Sequence, residues 1–441
     1  MTTKKESLLF DELPLWRGNG RVAKACYPCG PLVTELDRAP AFEAQMRIII
    51  GVTPTDGTRY AAALAANGFT CFFENTVEKN RFSKYKKGDI SVHLGYLARE
   101  KRLYVIKERA AHTAPDICDP TNASRPCEFF VYGLNMDPGG HHPAKQFAHL
   151  NTTGYPNCGM LLAITTGDGR VIVIDGGYAF QIDKNGCTDE IDRFLHRITG
   201  KSEQETVTVA AWYVTHNHPD HYQGFTHLLK TFPDRYRVER LIGNIPDTAA
   251  FPKMSTVGLT TLAEVLHEQQ HDCCEVKVHT GDRITLGEVT LDVLYTHEDA
   301  VQGESSTTPI KDFNDTTTVI KATLGQKDPL TVMILGDISE LSEARMLAAY
   351  TKKTLKCDIA QEAHHNFNYI TELYRLIAAP VMCFIQTEFG CVKTEKLAEH
   401  AAAAKKYSKR YYYNGDITKT VGFAKKDGKI TEIYRYIHYL T

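Results

Sequence analysis

Residues 215–225 read THNHPDHYQGF, and they follow the apolar run VTVAAWYV at 207–214. A continuous apolar run of this kind is typical of a strand that is buried on both faces. Three imidazoles and one carboxylate therefore leave the end of a core strand together, and these groups suit zinc and related metals. We interpret the stretch as a metal-binding loop. The alternative, a histidine-rich loop that binds nothing, does not explain why four good ligands are packed after a core strand.

The spacing within this loop predicts two neighbouring metal sites. His216 and His218 point the same way if the segment is extended, because side chains alternate along a strand. Pro219 then turns the chain, so that Asp220 and His221 can face a second ion. The loop alone thus offers four metal ligands, namely His216, His218, Asp220 and His221.

Two later stretches carry further ligands after apolar strands. TVMILGDIS (331–339) places Asp337 at a strand end, where a buried carboxylate is costly unless a cation pairs with it. The alternative role for Asp337 is to cap the following helix, for which Ser339 competes. CDIAQEAHH (357–365) ends in His364 and His365. Successive residues of an extended segment face opposite ways, so we expect His364 to be the ligand and His365 to line the substrate pocket.

The chain upstream of the loop predicts a hairpin. GMLLAITT (159–166) and RVIVIDGG (170–177) are two apolar runs around the turn Gly167-Asp168-Gly169. The second run ends in Asp175, followed by two glycines. Strand and helix patterns alternate from here towards the C-terminus, which favours an α/β fold or a layered α+β sandwich.

The pattern H-x-H-x-D-H at the end of a strand resembles the signature of the metallo-β-lactamase superfamily. The resemblance implies an αββα sandwich, and it implies that Asp175 hydrogen-bonds close to the metal loop. It also implies that Asp337 bridges the metals and that a histidine of the 364–365 pair is the last ligand. The histidine that completes the first metal site in many members has no clear counterpart, and His279 and His297 are the candidates.

Within the superfamily, the chain is most similar to the ComEC-like branch over about 155–415. The stretches that carry this likeness are GDRITLGEVTLDVL (281–294), NDTTTVIKATLG (314–325), MILGD (333–337) and CDIAQEAHHNFN (357–368). The chain departs from the pattern of this branch at two places, and these departures bear on the identity of the substrate more than on the metal chemistry. Asn366 stands where a glycine usually follows the paired histidines, and Tyr295-Thr296-His297 replaces a usual proline.

These motifs predict a metal-dependent hydrolase, and the resemblance to the ComEC-like branch favours a phosphoester or phosphodiester substrate. One or two Zn²⁺ ions are expected, with Mn²⁺ or iron as alternatives. Metal ions lower the pKa of a bound water towards about 7, which yields a hydroxide nucleophile. Asp220 would orient the metals and His365 would protonate the leaving group. Hydrolysis of a carboxylic ester, lactone or thioester, iron redox chemistry, and a non-catalytic metal-binding module are the alternatives.

Composition and predicted secondary structure divide the sequence into four segments. Residues 1–44 are irregular, and residues 45–110 combine one helix with short strands, which predicts a small α+β domain. Residues 111–154 are rich in Pro, Asn, Asp, Gly and His and are interpreted as a linker or loop. Residues 155–441 form the sandwich domain, so the expected fold class is α+β, an αββα sandwich preceded by a small α+β domain.

The charge balance and hydropathy limit the partners. The chain has 51 basic and 53 acidic residues, and a net charge of −2 gives no general attraction to nucleic acid. KKYSKRYYY (405–413) leaves nucleic-acid contact as an alternative to a small-molecule substrate. No stretch approaches the roughly 20 apolar residues of a membrane span. With no signal-peptide core near Met1 and scattered cysteines, we expect a cytoplasmic protein that does not associate with membranes.

Overall fold

Three β-sheets organise the part of the chain that the computed structural model describes. The described residues are 10, 12–22, 27–29, 44–109, 125–133, 159–177, 187–246, 262, 265–266, 268–270, 272–301, 310–311, 313–368, 370–384, 395–413 and 419–437. One sheet belongs to the N-terminal region, and the other two face each other in a sandwich.

The N-terminal sheet has the strand order β1-β3-β7-β6-β5-β4, with β2 also paired to β3. Its strands are β1 (Arg21–Val22), β2 (Tyr27–Cys29), β3 (Ala44–Ile50), β4 (Thr70–Val77), β5 (Asn80–Lys87), β6 (Ile90–Leu97) and β7 (Arg102–Arg109). The short strands β1 and β2 lie in the segment that was expected to be irregular. Both strands pair antiparallel with β3.

Helix α1 (Pro54–Ala66) covers one face of the N-terminal sheet. Its first turn is fixed by a capping box, in which Asp56 N–H donates to Thr53 Oγ1 and Thr53 N–H donates to Asp56 Oδ2 (3.0 Å). Pro54 at the first helical position needs no hydrogen-bond partner for its nitrogen. Tyr60 and Leu64 on the inner side of the helix are buried against the sheet.

Sixteen described strands form the sandwich. The first seven are β8 (Phe129–Val131), β9 (Leu161–Thr165), β10 (Val171–Asp175), β11 (Val207–Tyr213), β12 (Tyr236–Val238), β13 (Arg240–Gly243) and β14 (Cys274–Lys277). The next nine are β15 (Arg283–Leu286), β16 (Val289–Tyr295), β17 (Val319–Leu324), β18 (Leu330–Ile334), β19 (Ile359–Gln361), β20 (Val381–Phe384), β21 (Arg410–Tyr413), β22 (Lys419–Lys426) and β23 (Lys429–Ile437).

The strands form two mixed sheets. The first has the order β14-β13-β11-β10-β9-β8-β22-β23, with β12 also paired to β11. The second has the order β15-β16-β17-β18-β19-β20-β21. The predicted hairpin is confirmed as the antiparallel pair β9 and β10. β8 lies inside the expected linker at 111–154, of which the structure describes only 125–133, and it pairs with β9 and β22.

Helices cover both outer faces of the sandwich. The helices of this part are α2 (Cys187–Thr199), α3 (Pro219–Thr231), α4 (Glu340–Ala349), α5 (Lys352–Leu355), α6 (Thr371–Ile377) and α7 (Glu395–Lys405). One apolar cluster fills the space between the two sheets, and separate clusters lie under α2 and α3 and under α4, α6 and α7. The predicted fold class, an αββα sandwich preceded by a small α+β domain, is confirmed.

The N-terminal sheet packs against the sandwich through its second face. Phe82 and Tyr104 join the apolar cluster that also contains Tyr295 and Tyr350 of the sandwich. At Gly281, which has φ +92°, an added Cβ would lie 2.0 Å from the Phe82 ring, so only glycine permits this contact. None of the described helices is long and apolar enough to cross a membrane.

Candidate metal centre

The carboxyl ends of parallel strands from both sheets meet at one edge of the sandwich. β10 and β11 run parallel in the first sheet, and β18 and β19 run parallel in the second. A backbone hydrogen bond from Thr318 N–H to Thr215 O (2.8 Å) joins the two sheets at this edge. The histidine loop follows β11, Asp337 follows β18, and the paired histidines follow β19, so local sequence motifs from distant parts of the chain converge.

His216 and His218 lie side by side, as their spacing predicts. His216 Nε2 is 3.0 Å from His218 Nδ1, and His216 is fully buried. His218 has extended backbone angles (φ −88°, ψ 139°) and makes no side-chain capping bond, although it precedes Pro219 at the start of α3. The pair therefore presents two ring nitrogens to one point, which is the arrangement that chelates a metal ion.

Asp220 and His221 lie on the first turn of α3, beyond Pro219. His221 is fully buried, and its Nε2 is 3.7 Å from Asp220 Oδ2. Its other ring nitrogen, Nδ1, donates to Asp175 Oδ2 at 2.6 Å. The turn at Pro219 thus directs these two residues to a position beside the first pair.

Asp175 hydrogen-bonds to the metal loop as the resemblance implies, and it sets the orientation of two imidazoles. It has φ +56° at the end of β10, and its carboxylate accepts from Thr215 N–H and Thr215 Oγ1–H, each at 2.8 Å. Because Thr215 Oγ1 donates to Asp175, it accepts from His216 Nδ1 at 3.1 Å. Both His216 and His221 are therefore held with Nδ1 protonated and with the Nε2 lone pair directed into the site.

Asp337 joins the two halves of the site from the opposite sheet. Its Oδ2 is 3.2 Å from His221 Nε2 and 3.9 Å from His216 Nε2. Its Oδ1 is buried and has no hydrogen-bond partner among the described residues. Helix α4 is capped by Ser339, whose Oγ accepts from Leu341 N–H, so Asp337 is not needed as a helix cap.

The paired histidines adopt a conformation that alternation along a strand does not describe. His364, His365 and Asn366 all have left-handed backbone angles, with φ of 49°, 47° and 69°. In this turn both imidazoles face Asp337: His365 Nε2 is 3.7 Å and His364 Nε2 is 3.8 Å from Asp337 Oδ2.

His365 rather than His364 completes the ligand cluster. His365 Nε2 is also 3.7 Å from Asp220 Oδ2, and its side chain is 4% exposed. The side chain of His364 is 24% exposed, and its Nε2 lies 3.3 Å from Asn314 Nδ2. The expected extended backbone at this pair is corrected, and the positions of the two side chains favour His365 over His364 as the ligand.

Among the described residues, two groups of side chains could each hold a cation. In each group the ligand atoms lie within 4.8 Å of one another. The first group is Asp220, His221, Asp337 and His365, and the second is His216, His218 and Asp337. These nitrogen and carboxylate donors match the ligand preferences of Zn²⁺. A buried carboxylate oxygen normally has a partner, so the unpartnered Oδ1 of Asp337 is consistent with a carboxylate that binds a cation.

The electrostatics of the cluster keep both carboxylates ionised but do not set every imidazole in its metal-binding form. Burial lowers the pKa of His221 and His365, but Asp337 and the neighbouring carboxylates outweigh burial and raise it above the usual value, so a metal ion must displace a proton from these two imidazoles. Burial lowers the pKa of His216 well below its usual value, which keeps its imidazole neutral. Burial opposes the charged form of Asp337, but His221, His365 and His364 outweigh it and hold the pKa of that carboxyl well below its ordinary value. The same balance, with His221 as the main cation, lowers the pKa of Asp220.

The two candidates for a further histidine ligand lie outside both groups. His279 is bonded to Glu298 and Glu108, and His297 Nε2 lies 2.9 Å from Asn244 Oδ1. Asn314 begins one of the ComEC-like stretches but had no predicted role, and its contact with His364 brings the 313–316 turn to the site. The polar run NDTTT before a strand was the available signal for it.

We expect Asp175→Asn to weaken metal binding about 10- to 100-fold, as loss of a partner that orients a ligand typically does. An asparagine has one acceptor oxygen instead of two, so it cannot keep both the Thr215 bonds and the His221 bond. Competition with a chromophoric zinc chelator measures the effect. Asp192→Asn is the matched control, since Asp192 is equally buried but bonds Tyr236 in the helix layer. Equal affinities for Asp175→Asn and the wild type would contradict this role.

Solved structures with similarity to the chain include metallo-β-lactamase fold proteins. A metallo-β-lactamase fold protein, YhfI from Bacillus subtilis, is 13% identical over 70% of this chain and all of its own, with a TM-score of 0.37. Unliganded yeast PDE1 is 11% identical over 65% of this chain and 97% of its own, with a TM-score of 0.35. The metallo-β-lactamase MIM-1 from Novosphingobium pentaromativorans is 14% identical over 56% of this chain and 81% of its own, with a TM-score of 0.29.

No family model matches the chain, and no curated protein matches it either.

Proposed function

We propose that this chain is a metal-dependent hydrolase of the metallo-β-lactamase fold, with its reaction centre at the two ligand groups. The observation that carries the proposal is the position of Asp337. Its carboxylate comes from the second sheet and belongs to both groups, while the histidine loop of the first sheet supplies the other ligands except His365, which follows β19 of the second sheet. A carboxylate shared by two adjacent groups of ligands is the arrangement expected of a site for two cations.

Bound metal ions would supply Lewis acidity and a water-derived nucleophile at neutral pH. The residues of this chain supply the positioning. His216, His218, Asp220, His221, Asp337 and His365 hold the ions, and Asp175 keeps two of these imidazoles in the tautomer that binds metal. Zn²⁺ is the proposed metal, because the ligand set combines imidazoles with carboxylates in a compact site.

His364 is the proposed proton donor to the leaving group. The sequence assigned this role to His365, but that side chain is enclosed within the ligand cluster. His364 is the more exposed of the pair, and its Nε2 contacts Asn314 at the side of Asp337. A general acid must reach both solvent and the reacting atoms, and His364 satisfies this requirement.

A phosphodiester or phosphoester is the proposed substrate, on the basis of the ComEC-like stretches. Three of these stretches meet at the site, since 314–325 contributes Asn314, 333–337 contributes Asp337 and 357–368 contributes the paired histidines. Placement of the chain in the ComEC-like branch belongs to this proposal. Carboxylic esters, lactones and thioesters could react at the same centre, because a fold does not fix a substrate.

A substrate panel tests the proposed reaction. We expect the protein loaded with Zn²⁺ or Mn²⁺ to hydrolyse bis-p-nitrophenyl phosphate and to lose this activity with a chelator. His227→Gln is a suitable control, because His227 lies on α3 but in neither ligand group. Turnover of only p-nitrophenyl acetate or a lactone would replace the phosphoester assignment. Metal binding without turnover of any activated ester would overturn the hydrolase proposal in favour of a non-catalytic metal module.

A further inference from the structure

Gln361 is a buried amide at the carboxyl end of β19, directly behind the Asp337 loop. It is 1% exposed, and none of the motifs in the sequence assigns it a role. Its Oε1 accepts from Leu335 N–H at 2.8 Å and from Gly336 N–H at 2.7 Å. Its Nε2 donates to Gly336 O at 3.0 Å and also contacts the Glu362 carbonyl.

These side-chain hydrogen bonds take the place of backbone pairing between β18 and β19, which ends before Leu335. The last backbone pair between β18 and β19 is Met333 with Ala360. Beyond it the chain must leave the sheet to bring Asp337 into the site, and the backbone groups of Leu335 and Gly336 lose their strand partner. A buried peptide group without a partner is costly, so the Gln361 side chain satisfies these groups in place of a strand.

The segment held by Gln361 has little freedom to adjust. Gly336 has φ +53°, and an added Cβ there would lie 2.6 Å from Thr317 Cγ2. The Gly336 carbonyl also accepts from His364 N–H at 3.0 Å. One peptide unit is therefore bonded both to Gln361 and to the left-handed turn that carries the paired histidines. A shift of this unit would displace Asp337 and His365 together.

We infer that Gln361 is a positioning residue for the metal centre: its amide fixes the Leu335–Gly336 backbone so that Asp337 reaches both ligand groups. The inference rests on the proposed function only in requiring that the two groups bind metal. It does not depend on which substrate is hydrolysed. Gln361 touches neither substrate nor metal, and it acts through the main chain that carries the bridging carboxylate.

The chain contains a matched control for this inference. Gln270 is also buried, and its amide makes the same kind of backbone clamp on β12. Its Oε1 accepts from Val238 N–H at 2.7 Å, and its Nε2 donates to Tyr236 O at 3.0 Å. It lies in neither ligand group. Gln361→Met and Gln270→Met both remove buried amide-to-backbone hydrogen bonds, four in the first variant and two in the second, with little change in side-chain volume. A loss of metal affinity that comes only from general destabilisation should therefore appear in both variants.

Cobalt binding to the purified full chain tests the inference. Bound Co²⁺ has visible absorption bands that report its ligand geometry, and titration gives affinity and stoichiometry. We expect Gln361→Met to bind Co²⁺ about 10- to 100-fold more weakly, with altered bands, as second-layer changes at metal sites do. Gln270→Met should keep the wild-type affinity and bands. Gln361→Glu, which retains the two acceptor contacts but cannot donate to Gly336, should lie between Gln361→Met and the wild type.

Two results would overturn the inference. One is wild-type affinity and bands for Gln361→Met, and the other is equal weakening in Gln361→Met and Gln270→Met. Should Gln361→Met fail to fold, Gln361→Glu and its far-ultraviolet circular dichroism keep the test decisive. Failure of the proposed function gives a different outcome, since the wild type would then bind Co²⁺ normally and hydrolyse none of the esters.

Discussion

Asp337→Asn is expected to lower the rate of metal-dependent hydrolysis at least about 10³-fold, the upper end of the loss for one electrostatic contact in an active site. Asp337 belongs to both ligand groups, so replacing it removes an anionic ligand from each. Asparagine has nearly the same shape, and a loss of activity would therefore report the charge. Steady-state kinetics combined with elemental analysis of the purified variant measure both consequences.

Asp358→Asn is the control for this prediction. Asp358 lies next to the other end of β19, where its Oδ2 accepts from Thr331 N–H at 2.9 Å and pairs with Lys425. We expect this variant to lose some stability and to retain its metal and its activity. An Asp337→Asn protein that keeps the wild-type metal content and rate would show that the carboxylate is not shared between two cations.

His279→Gln is expected to lower the free energy of unfolding by about 3–5 kcal/mol near pH 6.5, the usual cost of breaking a buried ion pair. His279 lies between two carboxylates, with Nδ1 2.9 Å from Glu298 Oε2 and Nε2 3.3 Å from Glu108 Oε1. Glu108 belongs to the N-terminal sheet and Glu298 to the sandwich, so the imidazole joins the two parts. Its ring also stacks on His93 at 4.7 Å.

The contribution of His279 to the free energy of unfolding should decrease as the pH rises. Burial would lower the pKa of His279, but Glu298 and Glu108 outweigh burial and raise it from 6.5 to about 9. A histidine with a raised pKa in the folded state stabilises the fold fully below about pH 6.5, and this stabilisation is lost as the pH rises through about 9. The stability difference between wild type and His279→Gln should therefore shrink by about 3 kcal/mol over this range.

Denaturant unfolding at pH 6.5 and at pH 9.5 checks this prediction. His227→Gln should leave the unfolding midpoint unchanged at both values, since His227 is outside the network of buried carboxylates. A constant difference between wild type and His279→Gln across this pH range would mean that the imidazole contributes by packing and not by its charge.

Local patterns in the sequence were sufficient for the histidine loop. The geometry of His216 and His218 follows from an extended backbone, and Pro219 fixes the turn that separates them from Asp220 and His221. These contacts span six residues, so periodicity and one proline determine them. The hairpin of β9 and β10 was predictable for the same reason, because a short turn links its two apolar runs.

The left-handed turn at 364–366 could not be read from the sequence in this way. Non-glycine residues avoid this conformation unless surrounding contacts impose it. Here those contacts come from Gly336, which accepts from His364 N–H, and from His400, whose Nδ1 bonds Asn366 O at 3.0 Å. Both partners are distant in sequence, and the choice between His364 and His365 therefore depended on tertiary structure.

Contacts between distant parts of the chain also explain why the sequence did not predict β8 or the partners of His279. β8 has only three residues, and its apolar character gave no period that could distinguish it from a loop. The sequence made His279 a candidate metal ligand, but its imidazole pairs with two buried glutamates, Glu298 and, from the N-terminal sheet, Glu108. Buried charge networks between sheets depend on which surfaces meet, and a single sequence does not specify that.

Anomalous diffraction from crystals grown with Zn²⁺ would locate the bound metal. We expect His364 to lie outside the ligand set and the anomalous peaks to be enclosed by six side chains: His216, His218, Asp220, His221, Asp337 and His365. Zinc bound only at other positions, with these six side chains turned away from one another, would contradict this expectation.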